Sequence, residues 1–127
     1  MDSWPSGIGA ITLFVEDLAE TKRFYREVFG LPVTFEDASS AVFTFGDTMV
    51  NLLDRGAARE LIEPAAVAGQ EAGSRLQLTI EVEDVDAMCA ELKNRGVQLL
   101  NGPMDRPWGI RTASFRDPGG HIWEIAK

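Results

Sequence analysis

Two stretches of the chain share one alternation of apolar and polar positions. They are Ile11-Thr12-Leu13-Phe14-Val15-Glu16-Asp17-Leu18 and Leu78-Thr79-Ile80-Glu81-Val82-Glu83-Asp84-Val85, 67 positions later. Each begins with the period-two pattern of a strand, reaches an aspartate, and passes into helical spacing. After Asp17, the residues Leu18, Thr21, Phe24, Tyr25, Val28 and Phe29 fall on one helical face, with Glu20 placed to complete a capping box. Gly30 stops this helix and Pro32 prevents its resumption. After Asp84, the stripe is Val85, Met88, Cys89 and Leu92, and Gly96 is the stop. Short apolar runs broken by turn residues follow each helix. In the first half they are 33–36, 41–45 and 48–53; in the second, 97–100, 110–116 and 121–126.

The pattern predicts an α+β protein: two βαβββ modules forming a cupped mixed sheet, with helices on the outer face. The whole chain, 1–127, reads as one domain. Module 1 covers about 8–54 and module 2 about 75–127, joined by a linker at about 55–74 with some helix near 57–62 or 64–68. Neither module alone covers both faces of its sheet, and a cleft between paired units is a natural ligand site.

Strand alternation assigns the faces. Ala10, Thr12 and Phe14 point into the cup, as do Gln77, Thr79 and Glu81, and Met49, Asn51 and Leu53. Thr112 and Ser114 join them, together with Ile122, Glu124 and Ala126, while Trp123 and Ile125 face the helices. Phe43 and Phe45 share a face, and the turn at Gly46-Asp47 leaves open whether it is cup or core; Phe45 is carried as a candidate ligand contact. Trp108, held between Pro107 and Gly109, is a candidate stacking group on the cleft border. The candidate ligand-binding set is therefore Thr12, Phe14, Phe45, Asn51, Gln77, Thr79, Trp108, Thr112, Ser114 and Glu124. This mixed lining suits a bulky, partly aromatic molecule.

The paired modules, Phe24-Tyr25 ahead of Val28-Phe29-Gly30-Leu31, and Asp117-Pro118-Gly119-Gly120-His121 ahead of Glu124 together resemble the vicinal oxygen chelate superfamily. This is the group of glyoxalase I, extradiol dioxygenases, fosfomycin-resistance enzymes and bleomycin-resistance proteins. The resemblance implies a divalent metal held by side chains from the first and last strands of each half. The matching positions here are Ala10, Asn51, Gln77 and Glu124. A methyl group and two amides are poor ligands, so no metal and no cofactor are expected, and no residue is assigned a catalytic role. His121 cannot easily assist, because residues 121 and 124 point to opposite faces of a regular strand. In character the chain looks like the metal-free bleomycin-resistance branch. That resemblance implies sequestration of a small molecule such as an antibiotic, and a homodimer in which two chains complete each other's clefts. The alternatives are a metal-dependent lyase, transferase or dioxygenase of the same fold, or a cofactor-free enzyme using Glu124 as general base.

Composition narrows the partners. A formal net charge of −8 repels phosphate backbones and argues against nucleic acid, while tolerating a cationic or neutral ligand. Apolar runs are too short to span a membrane, and Met1-Asp2-Ser3-Trp4-Pro5 lacks the features of a signal peptide. With a single cysteine, Cys89, no intrachain disulfide can form, and a cytoplasmic location is expected. One histidine in the chain makes triad chemistry improbable.

Overall fold

A computed structural model describes residues 4–127. The first module runs β1 (Ala10–Val15), α1 (Leu18–Val28), β2 (Phe35–Glu36), β3 (Ser40–Phe45) and β4 (Thr48–Asp54). The second runs β5 (Gln77–Glu81), α3 (Val85–Asn94), β6 (Leu99–Asp105), β7 (Arg111–Arg116) and β8 (Ile122–Ala126), with α2 (Arg55–Ile62) between them. This is the α+β pairing of βαβββ modules that the alternation predicts. The eight strands form two four-stranded mixed sheets, ordered β1-β4-β3-β2 and β5-β8-β7-β6. In each sheet the first strand runs parallel to the last and lies at the edge. No helix is long and apolar enough to cross a membrane, among the described residues.

The capping aspartates act as the sequence predicts. Asp17 accepts a hydrogen bond from Glu20 N at 3.0 Å, and Asp84 accepts one from Ala87 N at 3.0 Å. Thr21, Tyr25 and Val28 are buried on α1, and Val85, Cys89 and Leu92 on α3. Met88, expected in the same stripe, stands partly out of the core. In the linker the helix takes the first of the two expected positions. Asp54 caps it by accepting from Gly56 N, and Ala58 is its buried residue. Residues 64–68 are not helical.

Strand β6 departs from expectation. It begins at Leu99 and continues through Gly102-Pro103, which a sequence reading takes as a break. The pairing with β7 is irregular between Leu99 and Met104. Gly102, at φ +86°, lies so close to Thr112 O and Ala113 Cα that a Cβ there would collide with the neighbouring backbone. Glycine lets the bulged strand stay paired, and pairing resumes at Met104 opposite Thr112.

The two modules share one core. Leu13, Val15, Phe43, Val50 and Leu52 of the first join Ala113, Phe115, Trp123 and Ile125 of the second. Aromatic rings make the joint: Phe29 sits 4.8 Å from Trp123, and Phe45 stacks on Trp123 at 5.0 Å between centroids. At its centre Tyr25 Oη donates to Asp117 Oδ2 at 2.6 Å and accepts from Trp123 Nε1 at 3.1 Å. Asp117 Oδ1 in turn accepts from the backbone N–H groups of Gly119 and His121, at 2.9 and 3.0 Å. His121 Nδ1 lies 3.2 Å from the same oxygen, which gives the only histidine a structural post.

Tyr25 is fully buried, and burial, reinforced by the neighbouring Asp117 carboxylate, pushes its phenol well above the ordinary value near 10. Below that ordinary value the phenol is protonated in both the folded and the unfolded chain, and the network contributes fully. Above it, the unfolded chain releases the proton while the folded chain retains it, so stability falls as pH rises toward the folded value. Tyr25 is the only tyrosine, so phenolate absorbance reports it alone. In an alkaline titration it should ionise only with loss of near-ultraviolet circular dichroism. Tyr25→Phe should cost about 1–3 kcal/mol at neutral pH and remove this alkaline sensitivity.

Candidate functional site

Each sheet packs one face into the shared core and leaves the other open. On β8, Trp123 and Ile125 are buried and Glu124 between them is half-buried on the open face. Glu124 pairs in register with Thr79 on β5 and Ser114 on β7. The Thr79 hydroxyl donates to Glu124 Oε1 at 3.0 Å, so the lone carboxylate of this apolar strand has a partner and access to solvent. Gln77 pairs with Ile122, one step down the same face, and is exposed. The sequence placed Thr79 in the cup; that it, rather than Gln77, is the direct partner of Glu124 emerges only from the register.

The equivalent place in the first module holds Asn51, flanked by Thr12 on β1 and Val42 on β3. Its Oδ1 is buried without a hydrogen-bond partner. A buried carbonyl left unpaired by the chain is costly unless water or another group donates to it. Thr12 and Phe14 line a cavity of about 240 Å³ closed by the linker, with Gln70, Leu76 and His121 on its other walls. Gln70 Nε2 donates to Pro118 O at 2.6 Å and ties the linker to the β7–β8 turn.

Thr112 and Ser114 are on the open face as expected, but both are buried. Thr112 is engaged by a residue that the sequence reading did not select. Arg106 folds back from the β6–β7 connection and its Nε donates to Thr112 Oγ1 at 2.9 Å, while Nη2 donates to Asn101 Oδ1 at 3.3 Å. Trp108 is 69% exposed in the same turn, closed by Arg106 N to Ile110 O at 2.7 Å.

Phe45, whose face the sequence left open between cup and core, lies on the core side. It lies on the face of Phe43, packs against the shared core and stacks on Trp123. It borders a mostly apolar cleft of about 710 Å³ on the helix side, whose walls include Phe29, Ile80, Phe115 and Ile125 and which contains none of the other candidate residues. The two-residue turn at Gly46-Asp47 keeps β3 and β4 in register, so Phe43 opposite Val50 fixes the face that Phe45 shares.

The sequence model of the Glyoxalase/Bleomycin resistance protein/Dioxygenase superfamily matches residues 7–125. The chain belongs to that superfamily. It is 37% identical over 122 residues to the Bacillus subtilis protein YraH, covering 92% of this chain and 94% of the relative. The crystal structure of a glyoxalase/bleomycin resistance protein/dioxygenase from Nocardioides superposes with a TM-score of 0.87 at 26% identity, over 99% of this chain and 85% of the other. Lactoylglutathione lyase from Agrobacterium tumefaciens superposes with a TM-score of 0.76 at 25% identity, over 96% and 93%.

Membership in this superfamily raises the question of a divalent metal, and the donor set does not fit one. The positions that the resemblance points to are Ala10, Asn51, Gln77 and Glu124, and a catalytic ion needs about three competent protein ligands. Among the described residues no three His, Cys, Asp or Glu side chains come together. The single carboxylate is already hydrogen-bonded to Thr79.

The two faces make opposite demands on substitution. Phe45→Ala should lower stability by about 2 kcal/mol or more in equilibrium urea unfolding, because it opens the aromatic joint. Trp108→Ala should change it by less than about 0.5 kcal/mol, since that ring buries little against the chain.

Proposed function

We infer that the protein binds a bulky, partly aromatic small molecule on the open faces of its sheets, without a metal, and holds it rather than transforming it. The donor set carries this reading: of the positions facing the cup where a metal would be gripped, only Glu124 offers a charged oxygen. The same groups suit hydrogen bonding to an organic ligand. Asn51 Oδ1 awaits a donor, Gln77 is exposed, and Glu124 keeps a second carboxylate oxygen beyond the Thr79 bond. Sequestration of an antibiotic is the form of this function that the resemblance to bleomycin-resistance proteins favours.

A second copy of the chain completes the cup in this reading. Both β1 and β5 are edge strands, and an edge with unpaired backbone groups invites a neighbour. Exposed apolar side chains cluster beside them, Ile8 and Met49 at β1 and Leu76 at β5. The open face of the first module in one copy would then stand against that of the second module in its partner.

The rival reading is a metal-dependent enzyme. The likeness to lactoylglutathione lyase favours it, and the donor set opposes it. A thermal-shift panel of antibiotics and planar aromatic natural products, run with and without chelator, separates the two. Under the binding reading a ligand at about 100-fold over its Kd stabilises the fold by about 2.7 kcal/mol, equally in both conditions. A divalent ion bound stoichiometrically by the purified protein and lost in Glu124→Gln would defeat it.

A further inference from the structure

Among the described residues, three lysine or arginine side chains are half-buried: Lys22, Arg106 and Arg111. Lys22 pairs with Glu36 at 3.1 Å, and Arg111 pairs with Asp86 and Asp105 at 2.9 and 3.1 Å. Arg106 has no carboxylate partner among the described residues, although the chain carries 20 acidic residues against 12 basic ones. In a chain so rich in carboxylates, a half-buried guanidinium that pairs with none of them is left to be answered by solvent or by an anion from outside the chain.

Its geometry is held from two sides. Thr112 Oγ1 takes the Nε proton, and Asn101 Oδ1 takes one from Nη2, so the guanidinium is fixed across β6 and β7. Nη1 donates to no acceptor among the described residues. Asn101 pairs with Ser114, and Ser114 with Glu124, so Arg106 lies on the same open face as the Thr79–Glu124 pair. Thr112 and Ser114 are two positions apart on β7, which sets Arg106 and Glu124 about 7–10 Å from each other by strand and sheet spacings. A small aromatic molecule spans that distance.

We propose that Arg106, held by Thr112 and Asn101, is a carboxylate-recognising group on the open face of the second module. The ligand then carries an anionic carboxylate at one end and a hydrogen-bond donor that reaches Glu124 at the other. The planar fork of an arginine fits a carboxylate better than it fits any neutral group of the same shape. This reverses the expectation drawn from net charge. The acidic surface as a whole favours cations, while the ligand is read at short range by a single positioned guanidinium. The inference rests on the open face being the ligand site.

The test uses naphthalene carboxylate, the isosteric naphthalene carboxamide and naphthylmethylammonium as probes against the full chain. Isotope-labelled protein and backbone amide shifts give both the affinity and the location of binding. The carboxylate should bind with shifts concentrated on β6, β7 and the turn at 106–110, at least about tenfold tighter than the carboxamide. Arg106→Gln should remove that margin without weakening the carboxamide, and Arg106→Lys should keep part of it. If Arg106→Gln does not fold, the wild-type margin should instead shrink as salt is raised. Equal binding of carboxylate and carboxamide on this face, or preference for the ammonium, overturns the role of Arg106 and leaves the binding face standing. Binding confined to the helix-side cleft, or by none of the probes, overturns both.

Discussion

The hydrogen-bonded joint of Tyr25, Asp117 and Trp123 is the constraint on which the rest of the molecule depends. It links the first helix to the last turn, residues separated by 92 positions, at a point buried from the surface, where a lost partner is costly. Tyr25 donates and accepts, Trp123 donates, and Asp117 receives donors at both oxygens. Around this polar centre the rings of Phe29, Phe43, Phe45 and Phe115 close a single core from two sheets. The joint sets how the modules meet and therefore which faces stay open. His121 serves the same joint through Asp117, so the only histidine is held by the core network even where its ring borders the cavity beside Thr12 and Phe14.

A strand can serve only two masters, one on each face. In β8 the residues that build the joint, Trp123 and Ile125, alternate with the one that serves the open face, Glu124. In β7, Ala113 and Phe115 alternate with Thr112 and Ser114. Residues of the open face can therefore change without loosening the core, provided that the alternation is kept. That separation lets one superfamily fold carry a metal site in some members and, at the matching positions here, Ala10, Asn51, Gln77 and Glu124.

What the sequence makes legible follows from the same alternation. The capping aspartates, the helical stripes and the repeat at Ile11 and Leu78 define both modules, because each is a local pattern with a local cause. The faces of β1, β4, β5 and β8 are readable for the same reason. Beyond local patterns the signal ends. Phe45 is ambiguous in sequence because a turn resets the alternation, and only the pairing of Phe43 with Val50 decides its face. Strand β6 extends further than its pattern, because Gly102 permits a bulge that polarity does not announce. Arg106 is invisible to periodicity: it lies in a turn, and its place over Thr112 depends on how residues 106–110 fold back. A signal was present in Arg106-Pro107-Trp108-Gly109, where a cation and an indole share one short turn, but the sequence drew attention to the indole alone.

The two open faces differ in a way that duplication alone does not explain. The first module presents Ala10, Thr12 and Asn51, a neutral surface with one unanswered acceptor. The second presents Glu124 with Thr79, and Arg106 with Asn101 and Thr112, so that it carries both signs of charge. In the proposed dimer, two identical neutral faces could hold a ligand in either direction, whereas a neutral face set against a dipolar one would admit a single orientation. Charged groups at the rim of a site add little affinity, since water answers them equally well before binding. A guanidinium fixed on two side chains is different, because its hydrogen bonds are ordered before the ligand arrives and less entropy is lost when it does. Under the proposed binding function, affinity would come from apolar and aromatic contact spread over both faces, and selectivity from the few positioned polar atoms of the second.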